Sequence, residues 1–330
     1  MSKLQLTFAC WNYDRVSSLV DGTVQVKGID LNFLNLEVEE TFWRMMRHQE
    51  FDVSELSLSS YLIARDRGQP RFTAIPVFMS RAFRHSGIFV NAHAGIEQPA
   101  DLRGKRVGIP EYQLTACVWI RGILQHEYGV YPSDVTWYMG GEEKPGRIEK
   151  VELQLPPEVR IQPIGETQTL NAMLESGEID ALIAPRAPSS FLNGSPHVRR
   201  LFPNYVEEEE RYFRKTGIFP IMHVVAIRDE ILESHPWVAM NLYQAFEEAK
   251  QKVYEGFHQT AALKVTLPWL VAEVERTERI MGKDFWPYGV EKNRKTLEAA
   301  VQYSFEQGLI NRRLGIEELF AKSTLESYVL

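Results

Sequence analysis

At 330 residues the chain exceeds the usual size of a single hydrophobic core, so two lobes are expected. Its 44% hydrophobic and 25% charged residues are ordinary for a globular protein, and a formal charge of -7 without a basic stripe argues against a nucleic-acid binder. Local arginines can still make an anion site within an acidic chain.

Two cysteines, Cys10 and Cys117, form neither a disulfide framework nor a C-x-x-C metal pair, and both are expected to be buried packing residues. No run is long enough to span a membrane, and the opening M-S-K-L-Q-L-T-F-A-C-W lacks an apolar signal core. A soluble cytoplasmic protein is expected.

In chain order, residues 4–11 predict a first strand, followed by the polar loop Asn12-Tyr13-Asp14-Arg15 and a short helix at 16–20. Residues 24–36 read as a strand broken at Lys27-Gly28, and 39–48 as a helix turning Phe42, Trp43, Met45 and Met46 inward. The run F-D-V-S-E-L-S-L at 51–58 is a strand turning into a helix. This puts Glu55 near the strand's carboxyl end, where open α/β sheets bind ligands. Residues 73–79 form another strand ending in S-R-A-F-R-H-S, and 88–91 continue as a strand.

Residues 101–130 hold a turn, a buried strand at 105–109, the ionisable loop Pro110-Glu111-Tyr112-Gln113 and an amphipathic helix. Gly108 allows close backbone approach, Thr115 is placed as a helix cap or a ligand contact, and Gly129 stops the helix. A helix start behind a strand offers unpaired N–H groups to an anion. An ordinary βα unit with a solvated glutamate fits the same spacing.

Residues 140–165 are rich in turn residues and charges and predict an exposed hairpin or insertion. A helix at 169–177, a strand at 179–184 and the loop Pro185-Arg186-Ala187-Pro188 follow. A strand with an embedded histidine, His223, spans 217–227, and a long helix runs over 232–256 with Pro236 in its first turn. From 267 the pattern is helical, interrupted by F-W-P-Y-G at 285–289.

Neither G-x-G-x-x-G nor G-x-x-x-x-G-K is present, which counts against nucleotide cofactors. D-L-R-G-K-R-V-G at 101–108 with L-E-S-G-E-I-D-A-L-I at 174–183 resembles the type 2 periplasmic-binding-protein fold. That resemblance implies an α/β, two-lobed architecture with two hinge crossings, near Asn91 and Gly217, and an interlobe cleft. Lobe 1 would comprise 1–92 and 218–330, and lobe 2 would comprise 93–217.

Within that superfamily G-I-P-E-Y-Q-L-T-A-C-V-W-I-R-G-I-L, G-I-F-P-I-M-H and W-P-Y-G-V look like the 4,5-dihydroxyphthalate decarboxylase family, over essentially the whole chain. The resemblance implies a cytoplasmic, cofactor-independent decarboxylase acting on a small aromatic dicarboxylate. A non-catalytic binding protein for an aromatic or heterocyclic acid is the alternative, and a pyrimidine-synthesis enzyme is disfavoured by the two cysteines. A homo-oligomer is expected, the C-terminal helices and W-P-Y-G either burying a subunit interface or packing on the first lobe. No membrane or nucleic-acid partner is expected.

Such a substrate needs cations for its carboxylates and an acid for a ring carbon. Arg15, Arg81, Arg84 and Arg186 follow predicted strands and are the carboxylate candidates, because a guanidinium fork binds carboxylates bidentately. Arg121, in mid-helix, ranks last. Glu111, His223 and Glu55 are the acid–base candidates, with His85 behind them. Ser57, Tyr112 and Thr115 would bond substrate oxygens. Glu55 could equally bond a backbone turn, and His223 could be a satisfied hinge residue. Eight histidines form no H-x-H or H-E-x-x-H, so no metal is expected.

Overall fold

The computed structural model describes residues 3–69 and 71–325. The chain opens with β1 (Leu4–Cys10), α1 (Asp14–Val20), β2 (Ile29–Asn35), α2 (Val38–His48), β3 (Val53–Ser57), α3 (Leu58–Arg67) and β4 (Phe72–Arg81). It continues with β5 (Ile88–Asn91), β6 (Arg106–Ile109), α4 (Thr115–Tyr128), β7 (Thr136–Met139), β8 (Arg160–Pro163) and α5 (Leu170–Ser176). Next come β9 (Ala181–Ile183), α6 (Ser189–Leu192), β10 (Val198–Arg200) and α7 (Tyr205–Thr216). The last elements are β11 (Ile221–Arg228), α8 (Asp229–Ser234), α9 (Trp237–Phe257), α10 (Leu270–Met281) and α11 (Arg294–Glu306).

Two compact units result. Met1–Arg81, Ile221–Leu297 and Leu314–Leu330 make the first, and Ala82–Pro220 with Glu298–Arg313 the second. The first unit holds the sheet β2-β1-β3-β11-β4, parallel except for β11, which runs antiparallel to both neighbours. The second holds β10-β5-β9-β6-β7-β8, where β5 is the antiparallel insertion. In the first sheet β11 comes from the segment that follows the second unit in the chain, whereas all six strands of the second sheet lie within residues 82–220.

Local pattern explains much of this. In β1 the alternation of L-Q-L-T-F-A-C turns Leu6 and Phe8 inward, while β3 is buried at every position, as a central strand covered on both faces must be. Gly129 ends α4 at φ +65, a conformation that costs glycine little. Gly108 in β6 faces Ile179, whose Cδ1 would lie 2.6 Å from an added Cβ, so the expected close approach is a side chain pressing on the strand.

Several expectations are corrected. Because β5 bonds to β9 and β10, the first unit ends at Arg81 rather than near residue 92, and it resumes at Ile221. Residues 298–313, expected in lobe 1, belong to the second unit. There Gln307 accepts from Arg121 Nε at 2.8 Å and donates to the Val118 carbonyl at 2.9 Å. Helix α4 is buried from Thr115 through Leu124, not along one face, and Leu114 rather than Thr115 occupies its N-cap.

The 140–165 stretch is not simply exposed. It contributes edge strand β8, and the buried Gly141 and Glu142 carbonyls accept the N–H groups of Leu170 and Asn171. The expected long helix at 232–256 is two helices parted at His235-Pro236. Among the described residues no helix is long and apolar enough to cross a membrane.

Candidate active site

Two groups of ionisable side chains stand out, one in each unit. The first is built on β3. Its neighbour β1 pairs Ala9 with Ser54, which brings the residues just after β1 alongside Glu55. On the other side β11 pairs His223 with Ser57 and Val225 with Glu55. His223 is therefore a diagonal neighbour of Glu55 on the same face, within reach of a long side chain.

Glu55 is fully buried and accepts three hydrogen bonds, from the Trp11 N–H (3.1 Å), the Tyr13 hydroxyl (2.6 Å) and His223 Nδ1 (2.6 Å). His223 keeps 16% of its side chain exposed, its ring is steadied by the edge contact with Phe42 (centroids 4.8 Å), and irregular β11–β4 pairing brackets it. Its other ring nitrogen, Nε2, has no protein partner among the described residues. The carboxylate fixes which nitrogen carries the inner proton and leaves Nε2 for proton exchange.

The surroundings act on two neighbours. Burial and then the Glu55 charge raise the pKa of the Tyr13 phenol far above its usual range, so it stays a neutral donor. The same influences raise the Cys10 thiol, which is no nucleophile. Arg15 is clamped between the Tyr13 and Trp286 rings (4.1 and 4.5 Å). It donates to the Met79 carbonyl through Nε (2.7 Å) and Nη2, and to Asp14 through Nη1 (2.9 Å).

In the second unit Glu111 is buried, and its Oε1 meets Arg147 Nη2 and Lys150 Nζ, both at 2.6 Å. Lys150 also reaches Oε2 at 2.9 Å. Glu111 thus sits in an ion-pair network with two cations. Glu149 has the opposite environment. Its Oε1 accepts the Tyr112 N–H, and Gln113 hydrogen-bonds its side chain. Burial first and the Glu111 charge second push its pKa up to about 7. Arg121 closes the group from below, its guanidinium 3.8 Å from the Tyr112 ring centroid and donating to the Tyr112 carbonyl at 2.5 Å.

The other sequence candidates fall elsewhere. Arg81 is buried in the first unit, donating to the Pro287 carbonyl (2.8 Å) and to Asn293, and thereby anchoring W-P-Y-G. Burial lowers its pKa to about 9, which still leaves it charged at neutral pH. Arg84 donates weakly to the Pro185 carbonyl (3.4 Å), and Arg186 is exposed. Ser57 lies 3.3 Å from the Ser59 hydroxyl, and Thr115 is buried in the first turn of α4. His85 is buried between the Phe202 and Tyr212 rings with neither nitrogen hydrogen-bonded, and desolvation lowers its pKa to about 4. It is neutral at physiological pH.

Sequence reasoning missed Tyr13, Arg147, Glu149 and Lys150. Tyr13 shares the N-Y-D-R loop with Arg15 and could have been nominated from that. R-I-E-K at 147–150 looks like any solvated charged loop. Among the described residues, no group of three or more His, Cys, Asp or Glu is arranged to hold a metal ion.

These two sheets, each with its antiparallel insertion, define a two-lobed α/β fold of the periplasmic-binding-protein kind. The periplasmic aliphatic sulphonate binding protein SsuA from Escherichia coli superimposes with a TM-score of 0.53 at 12% identity, covering 98% of this chain and 99% of that one. A variant of the desulfurization enzyme DSZB in complex with biphenyl-2-sulfinic acid gives 0.56 at 15% identity, covering 97% and 96%. Residues 25–144 match the phosphonate ABC transporter, periplasmic substrate-binding protein family.

Sequence similarity narrows the class. The chain is 45% identical over 328 residues to the 4,5-dihydroxyphthalate decarboxylase of Comamonas testosteroni, covering 99% of each. It is 51% identical over 202 residues to that of Pseudomonas putida, covering 61% of this chain and 78% of the relative. The chain belongs to the 4,5-dihydroxyphthalate decarboxylase family and is a carboxy-lyase.

Proposed function

We propose that the protein decarboxylates 4,5-dihydroxyphthalate to 3,4-dihydroxybenzoate and carbon dioxide by protonating the ring carbon that bears the departing carboxylate. Support for the substrate comes from the two relatives, both named for this reaction. The observation that carries the mechanism is the Glu55–His223 pair, 2.6 Å apart, with Nε2 unpartnered among the described residues.

In this mechanism the imidazolium of His223 delivers its Nε2 proton to the ring carbon, and the hydroxyl para to that carbon loses its proton to become a dienone oxygen. The carbon–carboxylate bond then breaks, its electron pair restores the aromatic ring, and the oxygen is reprotonated. Solvent recharges His223. Because the substrate's own hydroxyl supplies the electrons, the ring acts as its own electron source and sink. Glu55, acting through His223, is a positioning residue that stabilises the imidazolium.

Glu111 enters this proposal as an anchor for its two cations rather than as the acid. It holds Arg147 and Lys150 in an ion-pair network within the second unit. The departing carboxylate needs the weaker pairing, since holding it tightly would oppose its release. Incubating the purified protein with 4,5-dihydroxyphthalate and measuring carbon dioxide and 3,4-dihydroxybenzoate tests the proposal. Tight binding without turnover would overturn it.

A further inference from the structure

Where β11 passes from His223 to Val225, β4 runs from Ser80 back to Ile75, so residues 76–79 bulge from the ladder. Pro76 has no N–H to give to β11, and the bulge turns carbonyls toward other partners. The Pro76 carbonyl accepts the Gly289 N–H (2.9 Å), that of Phe78 accepts Trp286 Nε1 (2.8 Å) and that of Met79 accepts Arg15 Nε (2.7 Å). The Trp286 N–H is held in turn by the Tyr254 hydroxyl at 2.8 Å. W-P-Y-G is thus fastened to the strand that borders His223, and every residue involved belongs to the first unit.

The Arg15 guanidinium lies 4.5 Å from the Trp286 ring centroid and 4.1 Å from that of Tyr13, whose hydroxyl bonds the same Glu55 oxygen as His223 Nδ1. Arg15 spends Nε and an Nη2 hydrogen on Met79, and an Nη1 hydrogen on Asp14. One N–H on each terminal nitrogen therefore has no protein acceptor among the described residues, and 14% of the side chain stays exposed. Asp14 is 52% exposed, so solvent weakens its hold. An N–H on each of two coplanar nitrogens matches the two oxygens of a carboxylate.

We propose that Trp286 is a positioning residue for decarboxylation: stacked on Arg15, it holds the guanidinium plane so that the unused N–H groups receive the substrate carboxylate that stays on the ring. The inference rests on the decarboxylase reading for its substrate, and it names which carboxylate Arg15 takes. A group bound equally before and during bond cleavage contributes to affinity and not to the barrier, so it can be held tightly.

The test is steady-state kinetics with 4,5-dihydroxyphthalate, together with calorimetric binding of 3,4-dihydroxybenzoate, which keeps only the retained carboxylate. Trp286→Leu removes the stacked ring and should raise both KM and the product's Kd by about tenfold, with kcat changed far less. Trp286→Phe keeps a ring on Arg15 and should recover most of the loss. Arg15→Lys keeps the charge without the planar fork and should raise both constants at least as much as Trp286→Leu.

A lowered Tm with KM and Kd unchanged would make Trp286 a structural strut and overturn the inference, as would equal constants in Trp286→Leu and Trp286→Phe. Should Trp286→Leu fail to fold, Arg15→Lys decides, and unmoved constants there refute the proposal. A wild type that binds 3,4-dihydroxybenzoate without turning over 4,5-dihydroxyphthalate overturns the decarboxylase reading alone, and the Kd series then decides the roles of Trp286 and Arg15.

Discussion

Glu55 and His223 lie 168 residues apart in sequence, yet they meet at 2.6 Å across the antiparallel pairing of β3 and β11. The carboxylate is wholly buried and the imidazole reaches the surface, so the pair has a fixed inner end and a reactive outer end. That asymmetry is the arrangement a proton donor requires.

Substituting His223→Ala should lower kcat for decarboxylation by ~10² to 10⁴-fold, the usual worth of a positioned acid–base group. Glu55→Gln keeps the shape but removes the charge that favours the imidazolium. Its kcat should therefore fall while KM changes less. Full activity in both variants, measured as carbon dioxide release, would exclude the pair from the chemistry.

Tyr13→Phe removes the 2.6 Å bond to Glu55 and leaves that carboxylate one donor short in a buried setting. A loss of about 1–3 kcal/mol in unfolding free energy is expected from urea titration. Because the Tyr13 phenol is held neutral, the loss should be the same at pH 6 and pH 9.

His85 gives a pH dependence of known sign. Its folded pKa is depressed from 6.5 to about 4, so between those values the unfolded chain binds a proton that the folded chain does not. Stability is therefore complete above pH 6.5 and is lost as pH falls toward 4, by on the order of 3 kcal/mol. His85→Phe should flatten the Tm–pH curve over that window, and an unchanged slope would refute the assignment.

Gly122 lies within α4, where alanine ordinarily stabilises a helix by about 1 kcal/mol. Here an added Cβ would overlap the ring of Tyr303 on α11. Gly122→Ala should instead destabilise by about 1–3 kcal/mol, read as a lowered Tm. Pairing it with Tyr303→Leu should recover part of the loss.

Arg121, ranked last as a ligand, is expected to be among the most costly single losses in the second unit. It joins α4 to Tyr112 and to Gln307 from a wholly buried position. Arg121→Ala should cost on the order of 3 kcal/mol through cavity formation and unpaired polar groups, with Arg121→Met less harmful. Equal Tm values for Arg121→Ala and wild type would contradict this.

The sequence alone determined what short-range patterning carries. The alternation of β1, the buried run of β3, the turn from β6 through Glu111 into α4 and the glycine stop at Gly129 were all legible, since residue period and backbone preference are local properties. The fold kinship was legible too, in motifs spread along the whole chain. Glu55 and His223 were both nominated, but as separate candidates. Only the β3–β11 register, a long-range pairing, joined them.

Tertiary structure also decided which ionisable groups are paired. Glu111 was expected to be an acid desolvated in a closed apolar cleft; Arg147 and Lys150, from an irregular segment, pair with it instead, while burial raises the proton affinity of Glu149. Arg81, nominated for a carboxylate, and Arg121, ranked last, both bond partners inside their own units. A side chain's type and spacing can be read from the chain, but its proton affinity depends on which distant groups burial brings within a few ångströms.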